Sequence, residues 1–253
     1  LFLRGIMDLS LLASLKPTIK IFYDEPYSKV CESNTVKFIR EGNKGYLVLD
    51  KTIFHPQGGG QPSDVGLIVG KLGKMYVRKV MEKGNVIVHW GKVEGNFVEN
   101  ETVKCELSWP ERFYNMKAHT AGHILDFALL KVYGAPITTV SANHGPNSFI
   151  EYEGNFSKNL DVNKIVEVAN NIVSEGRNIK VYYVQKDMIN RFIFNAPNLE
   201  RVPDLEVYRI VEIEDVNAMP CGGTHVSNTK EVGKIKIDRI EEGIGVFKIF
   251  YSV

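Results

Sequence analysis

Two pairs of metal-type donors stand far apart in this chain: His119 and His123 in His119-Thr120-Ala121-Gly122-His123, and Cys221 and His225 in Met219-Pro220-Cys221-Gly222-Gly223-Thr224-His225. Residues four apart on a helix lie on one side of it, so the first pair presents two imidazoles together. A cysteine and a histidine four apart on a Gly-Gly turn can face them, and the set then offers four N/S ligands to one tetrahedral zinc. A chain using both pairs must bring two remote segments to a single point.

Each pair is a weak signal alone, and the two gain strength from their surroundings. His119 and His123 share a helical stripe with Met116, Phe127 and Leu130, while Pro220, Gly222 and Gly223 give Cys221 a backbone freedom that a plain strand does not use. Imidazoles buried on an apolar stripe need partners, and the alternative to zinc is a cluster of side chains satisfying one another in the core. The zincin protease motif requires a glutamate directly after its first histidine; Thr120 stands there, which disfavours a peptidase. Four protein ligands complete a structural zinc, whereas catalysis needs an open position, so a catalytic reading requires one loose ligand or a water in the fourth place.

Composition narrows the setting. The 253 residues are 44% apolar, enough for a real core and a soft prior for two domains. Lys plus Arg (31) nearly equals Asp plus Glu (30), so any nucleic-acid surface must be a local patch. Arg177, Lys180, Lys186, Arg191, Arg201, Lys230, Lys234, Lys236 and Arg239 are candidate phosphate contacts, but interleaved acids also give them the look of an ordinary solvated face. Three irregularly spaced cysteines make no disulfide framework; Cys31 and Cys105 read as small core residues, and a reduced Cys221 fits a cytoplasmic setting. No apolar run approaches the roughly 20 residues that span a bilayer, so no membrane partner is expected. Residues 1–6 are apolar but lack a signal-peptide pattern and read as an upstream extension or processing remnant before Met7.

The fold class expected is α+β. A short helix or arm over 8–15, stopped by Pro17, precedes short alternating runs over 20–23, 35–40, 45–49, 74–81, 86–89 and 102–107. Turn residues at 41–45 and 83–85 suggest hairpins, hence a small N-terminal β-barrel or sandwich over residues 1–110, with His89 and Trp90 as packing residues. Residues 54–64 interrupt this pattern with Gly58-Gly59-Gly60-Gln61: either a long mobile turn or a loop whose backbone a ligand can approach closely. The strand pattern stops at Pro110, which sets the boundary of a second domain over 111–253. Two long helices, 111–133 and 160–177 (capped by Asn159 or Asp161), and strands at 137–141, 148–153, 180–184, 205–213, 232–240 and 246–251 give it a mostly antiparallel sheet. His144, in a Gly-Pro-Asn loop, is expected to be solvated rather than a fifth metal neighbour.

His119 to His123, Cys221-Gly222-Gly223-Thr224-His225-Val226 with Asn228-Thr229 behind it, and the glycine loop of residues 54–64 together resemble the three motifs of the alanyl-tRNA editing family. That family comprises free-standing AlaX-type proteins and the internal editing domain of alanyl-tRNA synthetase. The resemblance runs in order from about Tyr23 to about Tyr251 and is closest to the medium-length AlaX type; it does not include the synthetase's class II catalytic core. Threonyl-tRNA synthetase editing domains share the zinc-type pairs, and Lys230 departs from the family's more usual glycine.

The resemblance implies a zinc-dependent hydrolase that deacylates mischarged tRNA(Ala), chiefly Ser-tRNA(Ala) and possibly Gly-tRNA(Ala), binding the tRNA acceptor end that carries serine or glycine. Its metal ligands would be His119, His123, Cys221 and His225, and Gly59, Gly60, Gln61 and Thr120 would serve catalysis, the loop and Gln61 holding the terminal adenosine and the developing oxyanion. A pocket for a small apolar side chain rejects an isostere with one added hydroxyl by only about a hundredfold, so a second sieve has to read that hydroxyl. Zinc or its water, Thr120, and one of Thr138, Thr139 or Ser141 are candidate readers, and the sequence does not choose among them. The competing readings are a tRNA-binding module with a purely structural zinc, and a zinc-dependent hydrolase of a small-molecule ester or amide.

Overall fold

The computed structural model describes residues 12–155, 161–199 and 202–253; residues 1–6, the first half of the expected arm over 8–15, Asn159 and Arg201 lie outside the described residues. The chain forms two compact units. One takes the chain up to Gly58 and then Pro62–Arg112; the other takes Gly59–Gln61 and Phe113–Val253.

The first unit is a closed antiparallel barrel of β1 (Val30–Glu41), β2 (Lys44–Leu49), β3 (Gly66–Val69), β4 (Gly73–Lys83), β5 (Val86–Gly95) and β6 (Thr102–Leu107), in the order β1-β2-β5-β4-β3-β6. Closure leaves no unpaired edge, which decides between barrel and sandwich. β6 shows how the pleat sorts its residues: Val103, Cys105 and Leu107 point into the core while Thr102, Lys104 and Glu106 remain outside. Gly42 and Gly84 both take φ of 59°, the left-handed conformation that the tight β1-β2 and β4-β5 turns demand. Residues 20–23 are not a strand: Ile19–Lys20 makes two residues of parallel pairing with Lys51–Thr52, then Ile21–Asp24 is one helical turn. That turn buries Phe22 edge-on against His55, with ring centroids 5.2 Å apart. β3, which the sequence pattern misses, is the strand that bridges β4 and β6 and so completes the barrel.

A buried ion pair ties the glycine-loop segment to the end of this unit. Arg112 is fully buried and donates through Nε to both carboxylate oxygens of Asp64 (2.9 and 3.0 Å), while its other nitrogens donate to Pro26 O (2.9 Å) and Ile53 O (2.5 Å). The Asp64 carboxylate also accepts from the His55 N–H at 2.5 Å. Every charge is therefore matched and the loop's ends are pinned.

In the second unit, helix α1 (Trp109–Tyr133) continues from Phe113. It begins two residues earlier than expected because Pro110 sits in the first turn, where no N–H is required. Gly134, with φ of 80°, ends it by donating its N–H to Leu130 O. Helix α2 (Val162–Glu175) is capped by Asp161, which accepts from the Lys164 N–H at 3.0 Å, and buries Ile165, Ala169, Ile172 and Val173.

The expected single sheet is two antiparallel sheets. β7 (Thr139–Asn143), β8 (Phe149–Glu153), β12 (Lys236–Glu242) and β13 (Val246–Ser252) form one in the order β12-β13-β8-β7; β9 (Ile179–Gln185), β10 (Val207–Ile213) and β11 (Asn217–Pro220) form the other. The run over 232–240 breaks because Asn228 and Glu231 cap a 3₁₀ turn, Thr229–Val232, and Gly233 (φ 81°) reverses the chain before β12. β11 has all four residues buried and delivers the chain directly to Cys221. With its helices and antiparallel sheets, the chain is of the α+β class.

Removing one partner of a buried ion pair leaves the other charge without compensation. Asp64→Ala is therefore expected to lower unfolding free energy by about 3–5 kcal/mol in urea titration, with Asp64→Ala/Arg112→Met recovering a large part.

Candidate metal centre

His119 and His123 project from α1 one turn apart, and β11 and the turn after it bring Cys221 and His225 to them. One donor atom from each of the four residues lies within 4.8 Å of the others. Cys221 Sγ is 3.5 Å from His119 Nε2 and 3.3 Å from His225 Nε2. A tetrahedron with Zn–S of about 2.3 Å and Zn–N of about 2.0–2.1 Å has N···S edges of about 3.6 Å, so these donors have nearly the spacing of zinc ligands. The three imidazoles are buried, with ring centroids 4.5 to 5.4 Å apart.

The surrounding hydrogen bonds assign the tautomers. Gln61 Oε1 accepts from the Thr224 N–H (2.9 Å), and Gln61 Nε2 donates to Thr224 Oγ1 (2.9 Å), which fixes the orientation of the amide. The same Oε1 lies 3.0 Å from His119 Nδ1. An amide oxygen can only accept, so His119 carries its proton on Nδ1 and turns a bare Nε2 toward Cys221. Thr120 Oγ1 lies 3.1 Å from His225 Nδ1 and accepts from the Val226 N–H, an arrangement that leaves His225 Nε2 toward the sulfur. His123 Nδ1 is buried without a hydrogen-bond partner. Burial, reinforced by the Arg209 charge, pushes the His123 pKa down to about 4, so the ring is neutral near pH 7.

The Cys221 turn is held from behind. Arg209, buried on β10, donates through Nη1 to Cys221 O (2.7 Å) and Gly223 O (3.0 Å), and the Cys221 N–H donates back to Arg209 O (3.0 Å). Burial pushes the Cys221 thiol up; the Arg209 charge and the Gly223 N–H, which donates to the sulfur at 3.4 Å, oppose this. Asn217 Nδ2 donates to His123 O (2.8 Å) and ties β11 to α1. Gly223 leaves room for His119, whose Cε1 would lie 2.0 Å from a Cβ placed there.

The residues expected to act at the substrate separate into two groups. The Gln61 amide is spent on Thr224 and His119, and Thr120 Oγ1 on His225 and Val226, so both face the histidines of the cluster. Gly58 and Gly59 are exposed with open space around them, and Gly60 packs against Ala142 and His144. His144 is not solvated: it is buried, with its ring stacked on that of His119 at 4.2 Å between centroids. The β7-β8 hairpin turns inward there, and Gly60 O accepts from the His144 N–H at 2.7 Å.

Among the candidate readers of a hydroxyl, Ser141 donates to the Glu151 carboxylate, whereas Thr139 Oγ1 is buried with no hydrogen-bond partner among the described residues. The Thr139 N–H donates to Pro197 O, and the next residue, Asn198, donates to Pro220 O while its own Oδ1 is buried and unpartnered. Two orphaned oxygens thus stand in a chain of contacts that leads to Pro220, the neighbour of Cys221. Of the basic candidates, Arg177, Lys180, Lys186 and Arg239 pair with carboxylates at the surface. Arg209, Asn217 and Tyr251 escaped the sequence reading because alternating strand residues do not reveal which polar side chain turns inward.

Gly223→Ala is expected to destabilise the protein by about 1–3 kcal/mol, since the added methyl overlaps His119. Gly58→Ala, with open space around it, should leave the thermal midpoint nearly unchanged.

Residues 208–249 match the family described as threonyl and alanyl tRNA synthetase second additional domain, and residues 7–111 match class II (A) tRNA synthetases. The alanyl-tRNA editing protein AlaX-L of Pyrococcus horikoshii is 36% identical over 225 residues, 87% of this chain and 54% of that protein. Alanine–tRNA ligases of Ignicoccus hospitalis and Pyrococcus abyssi are 32% and 31% identical over 90% and 94% of this chain, but only 25% and 26% of their own lengths. The chain thus spans about half the length of the first relative and about a quarter of the ligases. With the motifs, both family matches and these relatives in agreement, the chain belongs to the AlaX-type alanyl-tRNA editing family, related to the corresponding segment of alanyl-tRNA synthetase.

Proposed function

We propose that this protein hydrolyses the ester of mischarged tRNA(Ala), chiefly Ser-tRNA(Ala) and secondarily Gly-tRNA(Ala), at a zinc ion held by His119, His123, Cys221 and His225. The observation that carries this reading is the buried convergence of three imidazoles and one thiol in a chain of the editing family. The donor set fits zinc chemically: His119 is fixed with a bare Nε2, and His123 keeps a buried nitrogen with no hydrogen-bond partner among the described residues. With one of the four ligands loose, bound zinc would supply Lewis-acid polarisation and would lower the pKa of water from about 15.7 toward roughly 7.

The protein's own groups supply position and selection. Gln61 and Thr120 orient His119 and His225 from behind, as hydrogen bonds to the far nitrogens of metal-ligating histidines commonly do. Gly58 and Gly59 give the 3′-terminal adenosine a backbone it can approach without meeting a side chain. Thr139 Oγ1, with Asn198 Oδ1, reads the serine hydroxyl: a buried oxygen without a partner gains a hydrogen bond from serine and none from alanine. Residues 1–110 would form the barrel domain and 111–253 the editing domain, working on tRNA in the cytoplasm.

Release of labelled serine from Ser-tRNA(Ala), measured together with zinc content, tests this reading. Cys221→Ala and His119→Ala should lose zinc and deacylation together. Binding of tRNA without release would instead indicate a tRNA-binding module, and inertness toward tRNA a small-molecule hydrolase. Gln61→Ala should weaken zinc binding by about ten- to a hundredfold in chelator competition. Thr139→Val should lower kcat/KM for the seryl ester by about tenfold or more and leave the glycyl ester nearly unchanged.

A further inference from the structure

His144 is absorbed by none of the roles above, yet His119, Gly60 and Tyr251 converge on it. Its ring lies over that of His119, with centroids 4.2 Å apart and planes 19° from parallel. Its N–H donates to Gly60 O at 2.7 Å, anchoring the glycine triplet. Its Nδ1 is 2.7 Å from the Tyr251 hydroxyl, which donates to Ala118 O at 2.9 Å. The phenol has one proton and the carbonyl can only accept, so Nδ1 must carry the hydrogen and donate to the phenol oxygen. A relay from His144 through Tyr251 to the α1 backbone, one residue before His119, therefore sets the tautomer and plane of this imidazole.

Two glycines make way for the ring. A Cβ on Gly122, inside α1, would stand 2.6 Å from His144 Cε1 and 3.2 Å from the Tyr251 hydroxyl; one on Gly60 would stand 3.0 Å from His144 Cδ2. Glycine within a helix costs about 1 kcal/mol relative to alanine. At Gly122 the missing methyl is what lets His144 reach His119.

We infer that His144 is a positioning residue of this site: held by Tyr251, it fixes the ring plane of His119 from the face that Gln61 does not reach and joins it to Gly60 of the glycine triplet. The inference rests on the proposed metal site but not on the identity of the substrate. Turning His119 about its Cβ–Cγ bond carries Nδ1 away from Gln61, and the parallel His144 ring opposes the same turn from its face. The Gly60 anchor means that the same residue also sets where the exposed glycines lie.

Two readouts test this: cobalt affinity and the visible spectrum of the cobalt-loaded protein, and kcat and KM on Ser-tRNA(Ala). Tyr251→Phe removes one oxygen and keeps the ring, His144→Phe keeps a stacked ring without its donor, and Gly122→Ala displaces the imidazole from the helix side. Each is expected to lower cobalt affinity by about ten- to a hundredfold, shift the cobalt spectrum and depress kcat more than KM. The Tyr251→Phe/His144→Phe double variant should be no worse than His144→Phe alone, because the two act in series. His144→Asn, which keeps a donor near the Nδ1 position, should recover part of the loss. Gly122→Ala separates this role from simple packing: if Gly122 serves the helix alone, alanine stabilises it and leaves the cobalt spectrum unchanged, which overturns the inference. Additive losses in the double variant, or an unaltered spectrum in His144→Phe, overturn it equally. A wild-type protein inert toward Ser-tRNA(Ala) would refute the proposed substrate, while cobalt binding would still decide the role of His144.

Discussion

A single amide oxygen, Gln61 Oε1, receives the His119 Nδ1 hydrogen and the Thr224 N–H together, and the geometry of the candidate centre depends on that contact. It puts the His119 proton on the nitrogen away from Cys221 and keeps the other bare. It also fastens the glycine triplet's end to the turn that carries His225. In a buried site no water can take over either bond, so the loop, the helix and the turn share one arrangement.

The same economy recurs around the other donors. Thr120, next to His119 in sequence, faces the remote His225; Asn217 holds the backbone of His123; Arg209 clasps two carbonyls of the Cys221 turn. Gln61, Thr120, Asn217 and Arg209 are engaged with the four donor residues or their backbone, while Thr139 Oγ1 and Asn198 Oδ1 have no hydrogen-bond partner among the described residues. That division separates groups that hold the His/Cys cluster from groups with hydrogen-bonding capacity left over. It also explains why the two most prominent sequence candidates for substrate contact, Gln61 and Thr120, turn toward the histidines.

Glycine is used here as absence of bulk as much as for flexibility. Gly122, Gly60 and Gly223 each mark a place where an imidazole lies against backbone, and Gly223 would otherwise collide with His119 itself. The motif glycines are therefore part of the histidine packing, and the interval between the two pairs of donors can hold helices and strands of any suitable length.

The sequence by itself determined the two His/Cys donor pairs and their spacing, the alternation that makes barrel strands, two candidate caps for α2 and the family. These are local or pairwise properties: two histidines one turn apart, a Cys-Gly-Gly-Thr-His turn, an aspartate before a helical stripe. Only tertiary structure decided that the second sheet is separate, that Gly66–Val69 closes the barrel, and that His144 is buried rather than solvated. It alone gave Gln61 to a histidine and left Thr139 unpaired. The reason is physical: which face of a strand or loop turns inward, and which polar atom finds a partner there, depends on residues remote in the chain, and no window of local sequence contains them.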